Sequence, residues 1–393
     1  MTQSRGSDQA AQRLHIYLSS NFWDGLWIIQ QPTCNEIRRD ELVLYVERFV
    51  SIFAVLRYPE LWRRLFAWLR GARRLENNLW VLAPLPLFHI GHRAPWLFRL
   101  EFSIQRRWIS WWVARLPRGV RVLWMDNPLY SCAVGRMGEA TSVYHVADEV
   151  SAFPTSHAAT MRMLEQQLLR NVGVVFAAAE QLAADKRRWQ SNTHTVWNAI
   201  DQEVFGAEVQ VTPPRALVGI PAPWVAFVGV LDSWVDLDLL RTAVKDLPDV
   251  HFLIIGPTRV DIAALRDLPN AHLLGKLERH VIPAILRNCA ASLVALKKNA
   301  VTERILPLKV FEALAAGALP VCTPFSVDLN KLAADNMVVV AHSTEEFVTA
   351  IRSALVNDDL KLRRQRVEYG LQQTWKRRWA QMKQVIDQDL RAH

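Results

Sequence analysis

Short apolar runs alternate with longer amphipathic segments along this whole 393-residue chain. That alternation constrains the fold more than any other feature, because strands joined through helices pair in parallel. The first half holds "RLHIYLSS", "LVLYVER", "LWVLAP", "VRVLWMD", "SVYHVAD" and "VGVVFAAA". The second holds "WVAFVGV", "HFLIIGP", "AHLLGK", "ASLVAL", "ALPVCT" and "MVVVA". The expected fold class is α/β, with parallel sheets wrapped by helices. A chain this long exceeds one ordinary core, so two domains are expected. The proline-rich "EVQVTPPRALVGIPAPW" is the best linker, which sets the expected domains at 1–205 and 206–370. A basic, aromatic helix in "TWKRRWAQMKQVIDQDL" closes the chain, within 371–393. Two doubly wound domains place a ligand crevice at the carboxyl ends of both sheets, facing each other.

Composition removes several classes of function. Cys34, Cys132, Cys289 and Cys322 have neither metal-ligand nor redox spacing, which predicts a reducing compartment and no zinc site. The polar "MTQSRGSDQAAQRLHIYLSS" lacks a signal-peptide apolar region, and no run reaches the roughly 18–20 apolar residues of a bilayer span. A cytoplasmic protein is expected. There is no P-loop, no G-x-G-x-x-G, no HExxH and no G-x-S-x-G, which argues against P-loop NTPases, dinucleotide enzymes, zinc proteases and serine hydrolases.

The net charge of +9 is concentrated. Residues 57–118 hold twelve arginines, no lysine and three acids, interleaved with seven tryptophans. Guanidinium groups and indole rings at helical spacing suit a lipid headgroup interface, so an anionic membrane surface on the inner leaflet is the expected partner. The competing reading makes the tryptophans core and the arginines solvated. No nucleic-acid-binding motif accompanies the patch, and nucleic acid is not expected as a partner.

The stretch "ILPLKVFEALAAGALPVCTP", Ile305 to Pro324, reads as a helix leading into a buried strand. Pro307 can begin the helix and Gly317 can end it. Val310, Phe311 and Leu314 share a core-facing side. Lys309, Glu312, Ala313 and Ala316 share the other, where small residues let a ligand approach two charges. Read alone, the same helix is also an ordinary amphipathic one with an i,i+3 ion pair.

"PLKVFEALAAGALPVCTP" resembles the donor-binding segment of GT-B glycosyltransferases, the superfamily of two facing Rossmann-like domains with a crevice between them. "SVYHVADEVSAFP", "VFAAAEQLAADKRR", "VWNAIDQEVF", "VAFVGVLDSWVDLDLL" and "LPNAHLLGKLERHVIPAILRNCAASLVAL" follow the broad family 4 type in the same order. These are bacterial exopolysaccharide and cell-envelope enzymes. The first hundred residues match most weakly. The resemblance implies an N-terminal acceptor-binding domain, a C-terminal nucleotide-sugar domain and a last helix packing back on the first. It implies transfer of a sugar from a nucleotide-diphosphate donor to a glycan acceptor, lipid-linked where the membrane surface is used, with no metal or other cofactor.

Glu312 matches the glutamate that accepts the ribose hydroxyls, and Lys309 a lysine beside the diphosphate or sugar. Gly229 belongs with the same donor-binding set. The retaining members carry a second glutamate where this chain has Arg304. Arg304 and Lys297 are therefore read as cations for the departing diphosphate. Asp148 and Glu149, after a buried strand, are the candidate catalytic carboxylates, against a helix-capping alternative for Asp148. His145 reads as a core histidine. Trp23 and Asp24, in "SSNFWDGLW", are the acceptor candidates. Two alternatives stay open: a catalytically degenerate nucleotide-binding scaffold, and a nucleotide-sugar epimerase of the same fold.

Overall fold

The computed structural model describes residues 13–25, 27–58, 62–88, 94–152, 157–206, 215–357 and 359–392. The chain divides into two compact units. Of the features read from the sequence, Glu60, Arg93 and the linker residues 207–214 lie outside the described set.

The first unit takes Met1–Ala177, Ala183–Val196 and Trp379–His393. Its strands are β1 (Arg13–Leu18), β2 (Leu42–Val46), β3 (Ala72–Glu76), β4 (Leu79–Leu82), β5 (Val120–Met125), β6 (Thr141–Val146), β7 (Val174–Ala177) and β8 (Thr193–Thr195). They form one sheet in the order β3-β4-β2-β1-β5-β6-β7-β8. Every pair is parallel except the β3–β4 hairpin. Every residue of β2 and of β6 is buried, as helices on both faces require. The order reverses beside β1, whose Ile16 registers with Leu44 of β2 and with Leu123 of β5. Such a switch point leaves the strand ends open to a ligand.

The last helix, Trp375–Ala392, lends this unit its later turns. Trp379, Met382 and Ile386 recur at helical spacing and join the sheet's core. Trp379 meets His15 edge-on at 5.6 Å, and Lys383 pairs with Glu41 at 2.8 Å.

The second unit takes Ala178–Leu182 and Trp197–Arg378. Its strands are β9 (Trp224–Val228), β10 (His251–Ile255), β11 (Ala271–Gly275), β12 (Ala291–Val294), β13 (Leu319–Cys322) and β14 (Val339–Val340). All pairs are parallel, in the order β11-β10-β9-β12-β13-β14. This is the doubly wound nucleotide-binding order, reversing beside β9. The helix Leu308–Ala316 precedes β13 and ends on Gly317, which has φ 87°. A side chain there would strain the left-handed backbone that closes the helix.

Every strand read from the sequence forms, and β3 and β8 are additional. β3 is a largely exposed arginine-rich edge strand, and β8 has only three residues; neither offers an apolar run to read. The units change over at Trp197 rather than near residue 206, for a local reason. Asp328 accepts from the Trp197 indole at 2.7 Å and from the Glu180 backbone at 3.0 Å, fixing both segments in the second unit. The last helix starts at Trp375, after a separate helix at Leu360–Gln372.

One face also needs correction. Ala313 and Ala316, read as part of an open ligand face, are buried. The Leu360–Gln372 helix packs against this flank so closely that a Cβ on Gly370 would sit 2.3 Å from the Ala315 nitrogen.

Candidate functional site

In the second unit, Val310, Phe311 and Leu314 are fully buried and anchor the helix Leu308–Ala316. That anchoring fixes where Lys309 and Glu312 can point, and the two do not pair with each other. The Lys309 ammonium lies 4.6 Å over the Phe227 ring, at the end of β9. It reaches Gly229 so closely that a Cβ at that position would stand 2.8 Å from Nζ. Gly229 itself has φ 145°, and a Cβ on Gly256 would collide with its carbonyl oxygen. At the ends of β9 and β10 the two glycine backbones and the Lys309 ammonium thus lie in close contact. Burial lowers the Lys309 ammonium to about 8, with Cys322 and Glu312 pulling the other way. Among the described residues it makes no hydrogen bond or ion pair. A half-buried cation without an acceptor is prepared for an anionic ligand.

Glu312 faces Arg279, whose Nη2 lies 3.7 Å from Oε1; Arg279 Nη1 lies 3.7 Å from Asp201. Burial raises the Glu312 carboxyl to about 7, while Arg279 and Lys309 oppose that rise. A carboxylate with free lone pairs can accept from two neighbouring hydroxyls at once. Lys309, Glu312 and Gly229 are therefore brought together, as the sequence suggested.

Arg304 and Lys297 are placed differently. Arg304 donates to the Ala300 carbonyl at 2.9 Å and lies 3.8 Å from Glu303. Lys297 is exposed, on a loop pinned by Thr302, whose hydroxyl donates to the Lys297 carbonyl at 2.5 Å.

In the first unit, Asp148 follows β6, half-buried and with no hydrogen bond or ion pair among the described residues. Burial raises its carboxyl to about 6. Glu149 has another task. Its carboxylate takes the Lys186 ammonium at 2.6 Å and the Ser151 hydroxyl at 2.7 Å. Lys186 also reaches Glu165 at 2.8 Å, and the Tyr144 hydroxyl donates to Glu165 at 2.9 Å. The two acids read as one catalytic pair thus divide: Asp148 is open, and Glu149 is engaged in a buried ion cluster. His145 is a core residue, 3.1 Å from the Tyr17 hydroxyl and held neutral by burial, which lowers it to about 3.

Trp23 lies edge-on to Tyr45 at 5.0 Å, and its backbone donates to Glu47 at 3.0 Å. Asp24 is exposed and paired with Arg64, which also approaches Glu47 at 3.4 Å. Beneath this loop sits Asp126, which sequence reasoning missed. It accepts from the Ser20 backbone at 2.8 Å, Gln30 at 2.9 Å and the Ser19 hydroxyl at 3.0 Å, and burial raises it to about 6. Its signal was present: it ends "VRVLWMD" as Asp148 ends "SVYHVAD". Arg279 was also missed, because its partners lie far along the chain. Among the described residues no group of three or more His, Cys, Asp or Glu side chains is placed to hold a metal ion.

Residues 237–384 match the family described as glycosyl transferase-like. A curated relative, the putative teichuronic acid biosynthesis glycosyltransferase TuaH of Bacillus subtilis (strain 168), is 29% identical over 132 residues. That alignment spans only 33% of this chain and 33% of TuaH. Among solved structures, the sucrose-phosphate synthase of Thermosynechococcus elongatus superposes with a TM-score of 0.70 at 14% identity, covering 97% of this chain and 100% of that one. An E. coli structure titled trehalose-6-phosphate, bound with UDP-2-fluoro glucose, gives 0.70 at 11% identity, covering 96% and 99%. HepE of Anabaena in complex with UDP and glucose gives 0.63 at 12% identity, covering 96% and 100%. In fold the chain is similar to these GT-B glycosyltransferase structures, and its residues 237–384 carry the glycosyl transferase-like segment.

Proposed function

We propose that this protein moves a sugar from a nucleotide-diphosphate donor to a lipid-linked glycan acceptor, in the synthesis of an envelope polysaccharide or exopolysaccharide. The observation that carries the donor half is Lys309, seated over Phe227 against Gly229, three residues before Glu312 on one buried helix. Glu312 accepts the ribose hydroxyls, and Lys309 offsets diphosphate charge as the sugar departs. Arg304 and Lys297 lie on the preceding loop and add positive charge. The UDP bound to HepE and the UDP-2-fluoro glucose bound to the E. coli structure support a nucleotide-sugar donor. In the first unit, Asp148 takes the proton of the acceptor hydroxyl, since it is ionised above about pH 6 and has no hydrogen-bond or ion-pair partner among the described residues. Trp23 and Asp24 contact the acceptor glycan.

The name of TuaH supports an envelope polysaccharide as the product. The surface of the first unit supports a membrane-borne acceptor. The helix Pro95–Val113 buries Phe98, Phe102, Ile109 and Val113. It turns Trp96 (66% exposed), Leu100, Ile104 and Trp111 outward, with Arg115 stacked on Trp111 at 3.1 Å. Phe53, Trp62, Phe66 and Leu69 are exposed in the same unit. No described helix is long and apolar enough to cross a membrane. Our reading is a cytoplasmic protein held peripherally on the anionic inner leaflet by this aromatic and basic surface.

The test is transfer of radiolabelled sugar from UDP-, GDP- and ADP-sugars to lipids extracted from a bacterial envelope. The expected result is label in the lipid phase with the wild type and almost none with Asp148→Asn, which still binds nucleotide. Conversion of the sugar nucleotide without any acceptor would establish an epimerase instead. Nucleotide binding with no turnover on any lipid would establish a scaffold.

A further inference from the structure

Arg279 joins three separate segments of the second unit. It belongs to the short 3-10 turn Arg279–Val281; Asp201 caps the helix Gln202–Phe205; Glu312 lies on Leu308–Ala316. The guanidinium stands 3.7 Å from each carboxylate, one through Nη1 and the other through Nη2. The charged groups facing Glu312 are Arg279 and Lys309, which favour its anion, and Asp201, which opposes it.

We propose that Arg279 is a positioning residue for the nucleotide, standing beside Glu312 so as to favour its carboxylate form, to which both ribose hydroxyls can donate. This rests on the donor-site reading of the second unit. A carboxyl group in so dry a site tends to keep its proton, and a protonated acid has one oxygen committed as a donor. A guanidinium nearby opposes that tendency. At 3.7 Å it is too far for a tight bidentate fork, so the lone pairs of Glu312 stay available to a ligand. Asp201 takes the other side of the guanidinium.

Calorimetric titration with UDP, GDP and ADP, of wild type, Arg279→Gln, Glu312→Gln and the double variant, tests this. At neutral pH, Arg279→Gln weakens binding of the accepted nucleotide roughly five- to tenfold, because Glu312 then keeps its proton to higher pH. The ratio to wild type shrinks as pH rises, and taking the ratio cancels the ionisation of nucleotide and Lys309. In the Glu312→Gln background the same substitution changes Kd less than about twofold. Arg279→Lys restores most of the affinity. An equal loss in the Glu312→Gln background would overturn the proposal, since Arg279 would then act on the nucleotide directly. Tighter binding by Arg279→Gln would also overturn it, marking Arg279 as an obstruction. A wild type that binds none of the three nucleotides defeats the donor reading itself, whatever the variants do.

Discussion

The burial of Glu312 has a stability consequence besides the binding role proposed for it. Its carboxyl is raised from the ordinary range to about 7, so the folded chain holds this proton more tightly than the unfolded chain does. The resulting stabilisation is complete at acid pH and is lost as pH rises through about 7. Without nucleotide, wild type should therefore lose roughly 1–3 kcal/mol relative to Glu312→Gln between weakly acidic and weakly alkaline buffer. Paired denaturant titrations check this; a constant difference across the range contradicts it. Gly229→Ala should act differently. The new methyl displaces the Lys309 ammonium and strains a backbone at φ 145°. Nucleotide affinity should fall by about tenfold or more, with strain of about 1–3 kcal/mol in stability. An alanine variant that binds as wild type does would show that Lys309 works from another position.

Between residue and fold lie the elements, and these were unevenly legible in the sequence. The helix Leu308–Ala316 could be read because its charges, small residues, Pro307 and Gly317 all lie within one short stretch. Its flank could not: only the packed structure shows Gly370 set against Ala315, and Ala313 and Ala316 buried. β3 was hidden because its side chains face solvent, and apolar periodicity reports only burial. The partners of Glu149 were hidden for a related reason. Adjacency to Asp148 says nothing of Lys186, which reaches it from the Glu180–Arg187 helix. That cluster offers its own test. Lys186→Met leaves Glu149 and Glu165 buried without their cation and should cost about 3–5 kcal/mol by denaturant melting. A loss within experimental error would mean that water or protonation replaces the lysine cheaply.

For the molecule as a whole, the largely parallel pairing of both sheets followed from the run of buried strands, while the partner surface needed exposure values. The twelve arginines and seven tryptophans of residues 57–118 fit two readings as a sequence. The structure shows both kinds of tryptophan: Trp68 and Trp112 pack inward on neighbours, and Trp96 and Trp111 face out. Vesicles containing anionic lipid should retain the wild type, and Trp96→Ser/Trp111→Ser or several arginine-to-glutamine changes should release it. Binding should weaken with added salt, as phosphate contacts by guanidinium groups are screened. Undiminished flotation of both variants would refute the docking face. The central claim is the nucleotide site, and calorimetric binding of UDP, GDP and ADP to wild type and Glu312→Ala tests it most directly. The account predicts micromolar binding of one nucleotide, weakened at least about tenfold, or about 1.4 kcal/mol, in the variant. Equal affinity in the two proteins, or no binding of any of the three, would contradict it.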